Sequence, residues 1–188
     1  LLLPKPQQIL LDALLNLNKP MIVSIFSGSA MDLRTAQNAN ALLQTWYPGA
    51  MGGKALANII FGEVSPSAKL PITIYKDTDC LPDFEDYSME NRTYRYLKDE
   101  PLFPFGFGLN YGDTYLESVD ILDEIPDRSR GLNLRVEISN RGIATKDVVQ
   151  VYVKNDSKYA ALNPTLVEFE KIAISSGERA IIELKINE

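Results

Sequence analysis

From Tyr115 onward the hydrophobic period of this chain is two. Leu132, Leu134, Val136 and Ile138 alternate with Asn133, Arg135, Glu137 and Ser139. Side chains of a strand point alternately to its two faces, so this pattern predicts a half-buried antiparallel strand. Val149, Val151 and Val153 predict the next inward face, followed by Val167, Phe169, Ile172 and Ile174 and then by Ile181, Ile182, Leu184 and Ile186. Asn140-Arg141-Gly142 and Ser175-Ser176-Gly177-Glu178 supply the turn residues between them. Five or so short strands predict a β-sandwich over residues 115–188. An immunoglobulin-like sandwich needs about seven strands, so this one is expected to be incomplete, with the remainder beyond Glu188.

Residues 1–76 carry a different pattern. Pro6 suits a first helical turn, and Ile9, Leu10, Ala13, Leu14 and Leu17 recur at helical spacing. Met21 to Phe26 is a short apolar run, as in a strand buried on both faces. Asp32 or Thr35 is placed to cap a second helix carrying Ala36, Ala39, Leu42 and Leu43. A short strand is expected around Gln44-Thr45-Trp46-Tyr47, a helix over Met51–Phe61 closed by Gly62, and an edge strand over Leu70–Ile74. This βαβα order predicts a parallel α/β layer, partial because only about three strands are visible. The fold class expected is therefore α/β followed by all-β, with residues 77–114 as a long connecting loop.

That loop is acidic, through Asp77, Asp79, Asp83, Glu85, Asp86 and Glu90, and aromatic, through Tyr87, Tyr94, Tyr96, Phe103, Phe105, Phe107 and Tyr111. Its aromatics favour packing over disorder. Formal charge is −6 and the sequence pI about 4.8, and Lys and Arg form no basic run, which excludes a nucleic-acid partner. No run approaches the roughly 18 apolar residues of a membrane helix, so no membrane partner is expected. There is no histidine, which removes Ser-His-Asp and Cys-His catalysis and most zinc sites. No metal or other cofactor is expected. The lone Cys80 makes no internal disulfide and leans the chain towards a reduced, cytoplasmic compartment. Leu1-Leu2-Leu3-Pro4 reads as the middle of an element, so both ends are expected to be cut.

Three motifs invite chemistry. Gly49-Ala50-Met51-Gly52-Gly53-Lys54 hints at a phosphate loop, but Pro48 stands at its required first glycine and Ala55 replaces the magnesium-holding Ser/Thr; its small residues fit close helix–sheet packing better. The acidic stretch can supply a carboxylate pair or oxygen ligands for calcium, though without EF-hand spacing. A solvated acidic face is the simpler expectation. In Glu90-Asn91-Arg92-Thr93-Tyr94-Arg95-Tyr96, Arg92 and Arg95 can clamp carboxylates or stack on rings, either to brace the structure or to contact sugar.

Longer motifs carry a resemblance. Trp46-Tyr47-Pro48-Gly49, Gly52 to Ala57 and Phe61-Gly62-Glu63 are similar to segments of family 3 glycoside hydrolases, as is Ser65 to Thr73. Arg92 to Tyr96 and Phe103 to Tyr111 resemble that family's Arg-Thr-Tyr-Arg-Tyr and Pro-Phe-Gly-Tyr-Gly-Leu-Ser-Tyr motifs. Val136–Gly142, Val149–Val153 and Ser176-Gly177-Glu178 resemble its fibronectin type III-like domain. Ala68 departs from the usual Gly, Asn110 from Ser, and Gly112-Asp113 from Thr.

The resemblance implies the end of an α/β sandwich domain (1–76), a connecting loop (77–114) and an incomplete fibronectin type III-like sandwich (115–188) of a retaining exo-β-glucosidase or β-xylosidase. In such an enzyme an Asp on a (β/α)₈ barrel attacks the anomeric carbon and a Glu serves as acid and then base. Neither role matches a residue here; that Glu is expected upstream of Leu1, and Glu63 sits in a helix-ending motif. The implied partner is a β-linked oligosaccharide or aryl glycoside, bound through the absent barrel. The Arg-Thr-Tyr-Arg-Tyr form leans towards the β-xylosidase branch. The other class in play is a non-catalytic carbohydrate-binding or adhesion sandwich. Missing strands also predict exposed apolar edges and self-association of the isolated chain.

Overall fold

The computed structural model describes residues 1–79, 81–123 and 131–187. The chain is mostly β-sheet with few helices. It divides into two compact units: Leu1–Asn58 with Pro71–Phe105, and Ile59–Leu70 with Gly106–Glu188. Cys80, on which the disulfide argument rests, and Glu188 lie outside the described residues.

In the first unit, helix α1 spans Lys5–Leu15 with Pro6 in its first turn. Its buried residue is Leu11, whereas the expected apolar stripe of Ile9, Leu10, Leu14 and Leu17 faces solvent. Strands β1 (Ile22–Ile25) and β2 (Ala41–Gln44) pair in parallel, Ile22 opposite Ala41 and Ile25 opposite Gln44. β1 is not buried on both faces: Ile25 is buried, but Ile22 and Phe26 are exposed, because β2 is its only strand neighbour among the described residues.

The second expected helix is corrected. Only a 3₁₀ turn, Ala36–Asn38, forms, and Leu42 and Leu43 belong to β2, not to a helix. The strand expected at Gln44–Tyr47 therefore lies three residues earlier. Pairing with β1 overrides the weak helical spacing of these small residues. Helix α2 runs Gly52–Ile60, and Gly62 ends it at φ 77° as expected. Leu70–Ile74 is not a strand. Ile74 makes one isolated bridge to Phe103, with Pro71 unable to donate to a ladder. A single helical turn, α3 (Thr93–Tyr96), interrupts the long loop.

The second unit holds β3 (Thr114–Ile121), β4 (Leu132–Asn140), β5 (Thr145–Val153), β6 (Thr165–Ile174) and β7 (Arg179–Ile186). One sheet has the order β3-β4-β7 and the other pairs β5 with β6, all antiparallel. Leu134, Val136, Ile138, Ile172, Ile174 and Leu184 form one buried cluster from both sheets, with Val149 and Val151 against it. Val153 leaves this face and is exposed. A register shift between Val151 and Tyr152 turns the end of the strand, as bulges do. Phe169 is exposed while Ile172 and Ile174 are buried, since odd and even positions of β6 face opposite ways.

Asn140 ties the ends of these strands together. It is 1% exposed. Its Nδ2 donates to the carbonyls of Ile143 (2.7 Å), Ile174 (3.2 Å) and Ser175 (3.3 Å). Its Oδ1 accepts from the amides of Asp113 and Gly142, both at 3.0 Å.

Candidate functional site

Ligands of open parallel sheets bind beyond the carboxyl ends of the strands, which here are the segments after β1 and β2. Ser24 and Thr45 share a hydroxyl hydrogen bond of 2.6 Å, and Gln44 Nε2 donates to Ser27 Oγ at 3.1 Å. Trp46 follows at φ 57°, a left-handed conformation that costs a bulky residue about 1–3 kcal/mol. A side chain at Gly28 would meet Tyr47 Cε2 at 2.6 Å, so the exposed tyrosine ring lies directly on this glycine.

Among the described residues, two buried side-chain polar atoms have no partner, Gln44 Oε1 and Thr73 Oγ1. An unpaired buried hydroxyl costs about 1–3 kcal/mol. Replacing Thr73 by isosteric Val is therefore expected to raise the urea midpoint of this chain, by the equivalent of about 1 kcal/mol. A lowered midpoint would show that the hydroxyl has a partner.

The acidic loop uses its carboxylates locally. Asp77 accepts from the Asp79 amide, Asp83 from that of Glu85, and Asp86 from that of Ser88, at 2.8–3.0 Å. Hydrogen bonds from the Ser88 amide and hydroxyl hold the Asp86 carboxyl below the usual range. Among the described residues no three His, Cys, Asp or Glu side chains cluster to hold a metal ion. Arg92 does not clamp a carboxylate: its Nη2 donates to the backbone carbonyls of Asp83 (2.8 Å) and Asp86 (2.7 Å), closing the loop on itself. Arg95 lies over the Tyr94 ring at 5.9 Å, and Tyr94 stacks on Phe105 at 4.1 Å and 10°. The Thr93 amide donates to the Tyr75 hydroxyl at 2.8 Å. Phe84 and Tyr87 project from this loop, 93% and 92% exposed.

In the second unit the Ser65–Leu70 and Phe107–Tyr111 motifs meet. The Leu70 amide donates to the Phe107 carbonyl and the Gly106 amide to that of Leu70, both at 2.8 Å. Lys69 Nζ donates to the Gly108 carbonyl and pairs with Asp147, each at 2.7 Å. Asp147 also accepts from the Thr114 hydroxyl and the Val148 amide, both at 2.8 Å. Burial pushes this carboxyl up, but the hydrogen bonds from Lys69, Thr114 and Val148 together hold it below its ordinary value. Ser65 Oγ accepts from Thr145 Oγ1 (2.7 Å) and from the Tyr111 amide (2.9 Å). A side chain at Gly108 would strike the Ala68 carbonyl at 2.3 Å, a backbone atom that cannot swing aside. Gly52 makes its close approach to Pro48 and Gly53 meets nothing, so these two do not serve helix–sheet contact.

Asp147 escapes the motif reading, although it shares the parity of Val149 and Val151, and Asn140 is read only as a turn residue, not as the tie between strands. A carboxylate on an inward face signals a nearby cation. The sequence offers no pointer to Lys69 as that cation, 78 residues away.

The two motifs thus form a latch fastened to β5. The family model for the glycosyl hydrolase family 3 C-terminal domain matches residues 1–111, and the chain belongs to glycoside hydrolase family 3. It is 38% identical over 186 residues to a xylan 1,4-β-xylosidase of Xylanibacter ruminicola, covering 98% of this chain and 21% of that protein. It is 31% identical to the β-glucosidase BoGH3A of Bacteroides ovatus, covering 98% of this chain and 27% of that protein. The β-glucosidase EmGH1 of Erythrobacter marinus superposes with a TM-score of 0.84 at 31% identity, over all of this chain and 25% of that one. The chain thus spans about a quarter of the length of these relatives. Among the described residues no helix is long and apolar enough to cross a membrane.

Proposed function

We propose that this chain is the C-terminal part of a retaining exo-acting β-glycosidase that removes terminal β-linked xylose or glucose, and that it carries no catalytic residue itself. The observation that carries this reading is the 38% identity to a xylan 1,4-β-xylosidase along 98% of the chain. Residues 1–76 are read as the end of an α/β sandwich domain, which the parallel β1-β2 pair supports. Residues 77–114 serve as the connecting loop and 115–188 as a fibronectin type III-like sandwich, supported by two antiparallel sheets around one core.

Retaining hydrolysis needs two carboxyl groups roughly 5 Å apart across the scissile bond. Asp77, Asp83 and Asp86 are engaged in their own turns, and Asp147 is held by Lys69. This supports a bracing role for the chain, with nucleophile and acid/base supplied by the rest of the polypeptide. The substrate is then a β-linked oligosaccharide or aryl glycoside bound mainly there.

The test is turnover of aryl β-xyloside and aryl β-glucoside by the 188-residue chain and by the native polypeptide of its source cells. The expected result is hydrolysis with retained anomeric configuration by the native protein and none by the chain. Hydrolysis by the chain alone, or none by the native protein, overturns the proposal.

A further inference from the structure

We infer that Phe84 and Tyr87 form a stacking platform, a binding site for a neutral β-linked oligosaccharide on the acidic loop. They are the two most exposed large hydrophobic side chains among the described residues, at 93% and 92%. The backbone that carries them is held in place. Asp83 to Asp86 closes as a β-turn, with the Asp86 amide donating to the Asp83 carbonyl at 3.0 Å. Phe84 is the second residue of that turn, and Tyr87 follows its last. The Asp83 and Asp86 carboxylates accept from the amides of Glu85 and Ser88. Arg92 Nη2 ties down the carbonyls of the same two aspartates.

This loop divides its aromatic residues between bracing and display. Tyr94 stacks on Phe105 with Arg95 over its ring, and the Tyr75 hydroxyl accepts from the Thr93 amide. Phe84 and Tyr87 give almost none of their area to the fold. A large apolar ring kept in water on a fixed backbone adds nothing to folding stability. It is instead pre-organised for a contact, with little ordering left to lose on binding.

Chemistry selects the ligand. Three residues of chain span at most about 11 Å, so a short sugar chain can engage both rings. The C–H face of a β-linked pyranose is apolar and packs on aromatic rings, while its rim carries hydroxyl donors. Asp83, Glu85 and Asp86 flank the rings and are exposed, and carboxylates accept from such hydroxyls. The same charges, with Glu90, repel an acidic polysaccharide or a nucleic acid. A basic peptide fits the charge as well, but Asp83 and Asp86 already accept amide donors, which favours neutral hydroxyls as their further partners. The choice of a β-linked sugar rests on the glycosidase reading above.

Chemical-shift titration of the 188-residue chain with xylohexaose and cellohexaose tests the inference. Saturable binding is expected with at least one of them, weakened about tenfold by either Phe84→Ala or Tyr87→Ala. Both variants are expected to keep the parent's urea midpoint, because the rings bury so little. Nitration of Tyr87, read by peptide mass, is expected in the native polypeptide as in the chain, and the bound sugar should slow it. No saturable shift with either sugar, or equal binding by parent and variants, overturns the inference. So does preference for an oligolysine peptide, which would assign the loop to a basic partner. A Tyr87 that resists nitration in the sugar-free native polypeptide also overturns it, by showing the loop covered within the molecule. Ring-dependent binding in a protein whose native form hydrolyses neither aryl glycoside would defeat only the functional proposal. Hydrolysis without ring-dependent binding would defeat only this inference.

Discussion

Replacing Asn140 by Ala is expected to cost the second unit about 4 kcal/mol, the largest loss for any single polar residue described here. The side chain makes five hydrogen bonds, to three carbonyls and two amides. Its truncation leaves these backbone groups unsatisfied in a site that is 1% exposed. Each such group carries a penalty of about 1–3 kcal/mol, moderated where water enters the void. Urea denaturation followed by tryptophan-independent far-ultraviolet dichroism reads the shift in midpoint. Asn140→Asp separates the donor and acceptor halves of the effect. The acceptor is kept, but a carboxylate then faces three carbonyl oxygens, so this variant should gain stability as pH falls and its carboxyl is protonated. An Ala variant within about 1 kcal/mol of the parent would mean that the turns hold without this residue.

Breaking the Lys69–Asp147 pair is the second large effect. The two side chains are 18% and 17% exposed and 2.7 Å apart. Lys69→Met strands a carboxylate that burial pushes up and that keeps only the Thr114 and Val148 donors. A loss of about 2–3 kcal/mol is expected, with the double variant Lys69→Met/Asp147→Leu losing less than the sum of its single changes. The pH dependence has a definite sign. The folded carboxyl is held below its unfolded value. Its contribution is therefore present above the unfolded pKa, about 4, and is lost as pH falls through the lower folded value. Denaturation midpoints between about pH 6 and pH 2 should fall more steeply for the parent than for Asp147→Asn. Identical slopes would remove Asp147 from the acid transition.

The sandwich was readable because period two leaves few alternatives. Leu134, Val136 and Ile138 are buried as their alternation demands, and the turns at 141–144 and 175–178 fall where Gly142 and Gly177 stand. The first unit was read less well. Leu42 and Leu43 fit a helical stripe and a short strand equally, and only the distant β1 decides between them. Leu70–Ile74 has strand composition, but it bonds Gly106 and Phe107 at Leu70 and Leu102 and Phe103 at Ile74 without a continuous ladder between. The latch was legible as motifs and not as geometry. Ser65, Lys69, Gly106 and Gly108 were visible as family residues, whereas the meeting of Ser65 with Thr145, of Lys69 with Gly108 and Asp147, and of Gly106 with Gln150 depends on contacts 39 to 80 residues apart in the chain.

The interleaving of the two units has a consequence for how this gene segment can be cut and recombined. The chain crosses between units at 58/59, 70/71 and 105/106. A fragment beginning at Gly106 would keep all five sandwich strands and still lose Ser65 and Lys69, which serve Thr145 and Asp147. Shuffling at residue 105 thus separates strands from their own fastening. A transplantable cassette has to carry residues 59–70 along with 106–188, and that ties its inheritance to the stretch between them.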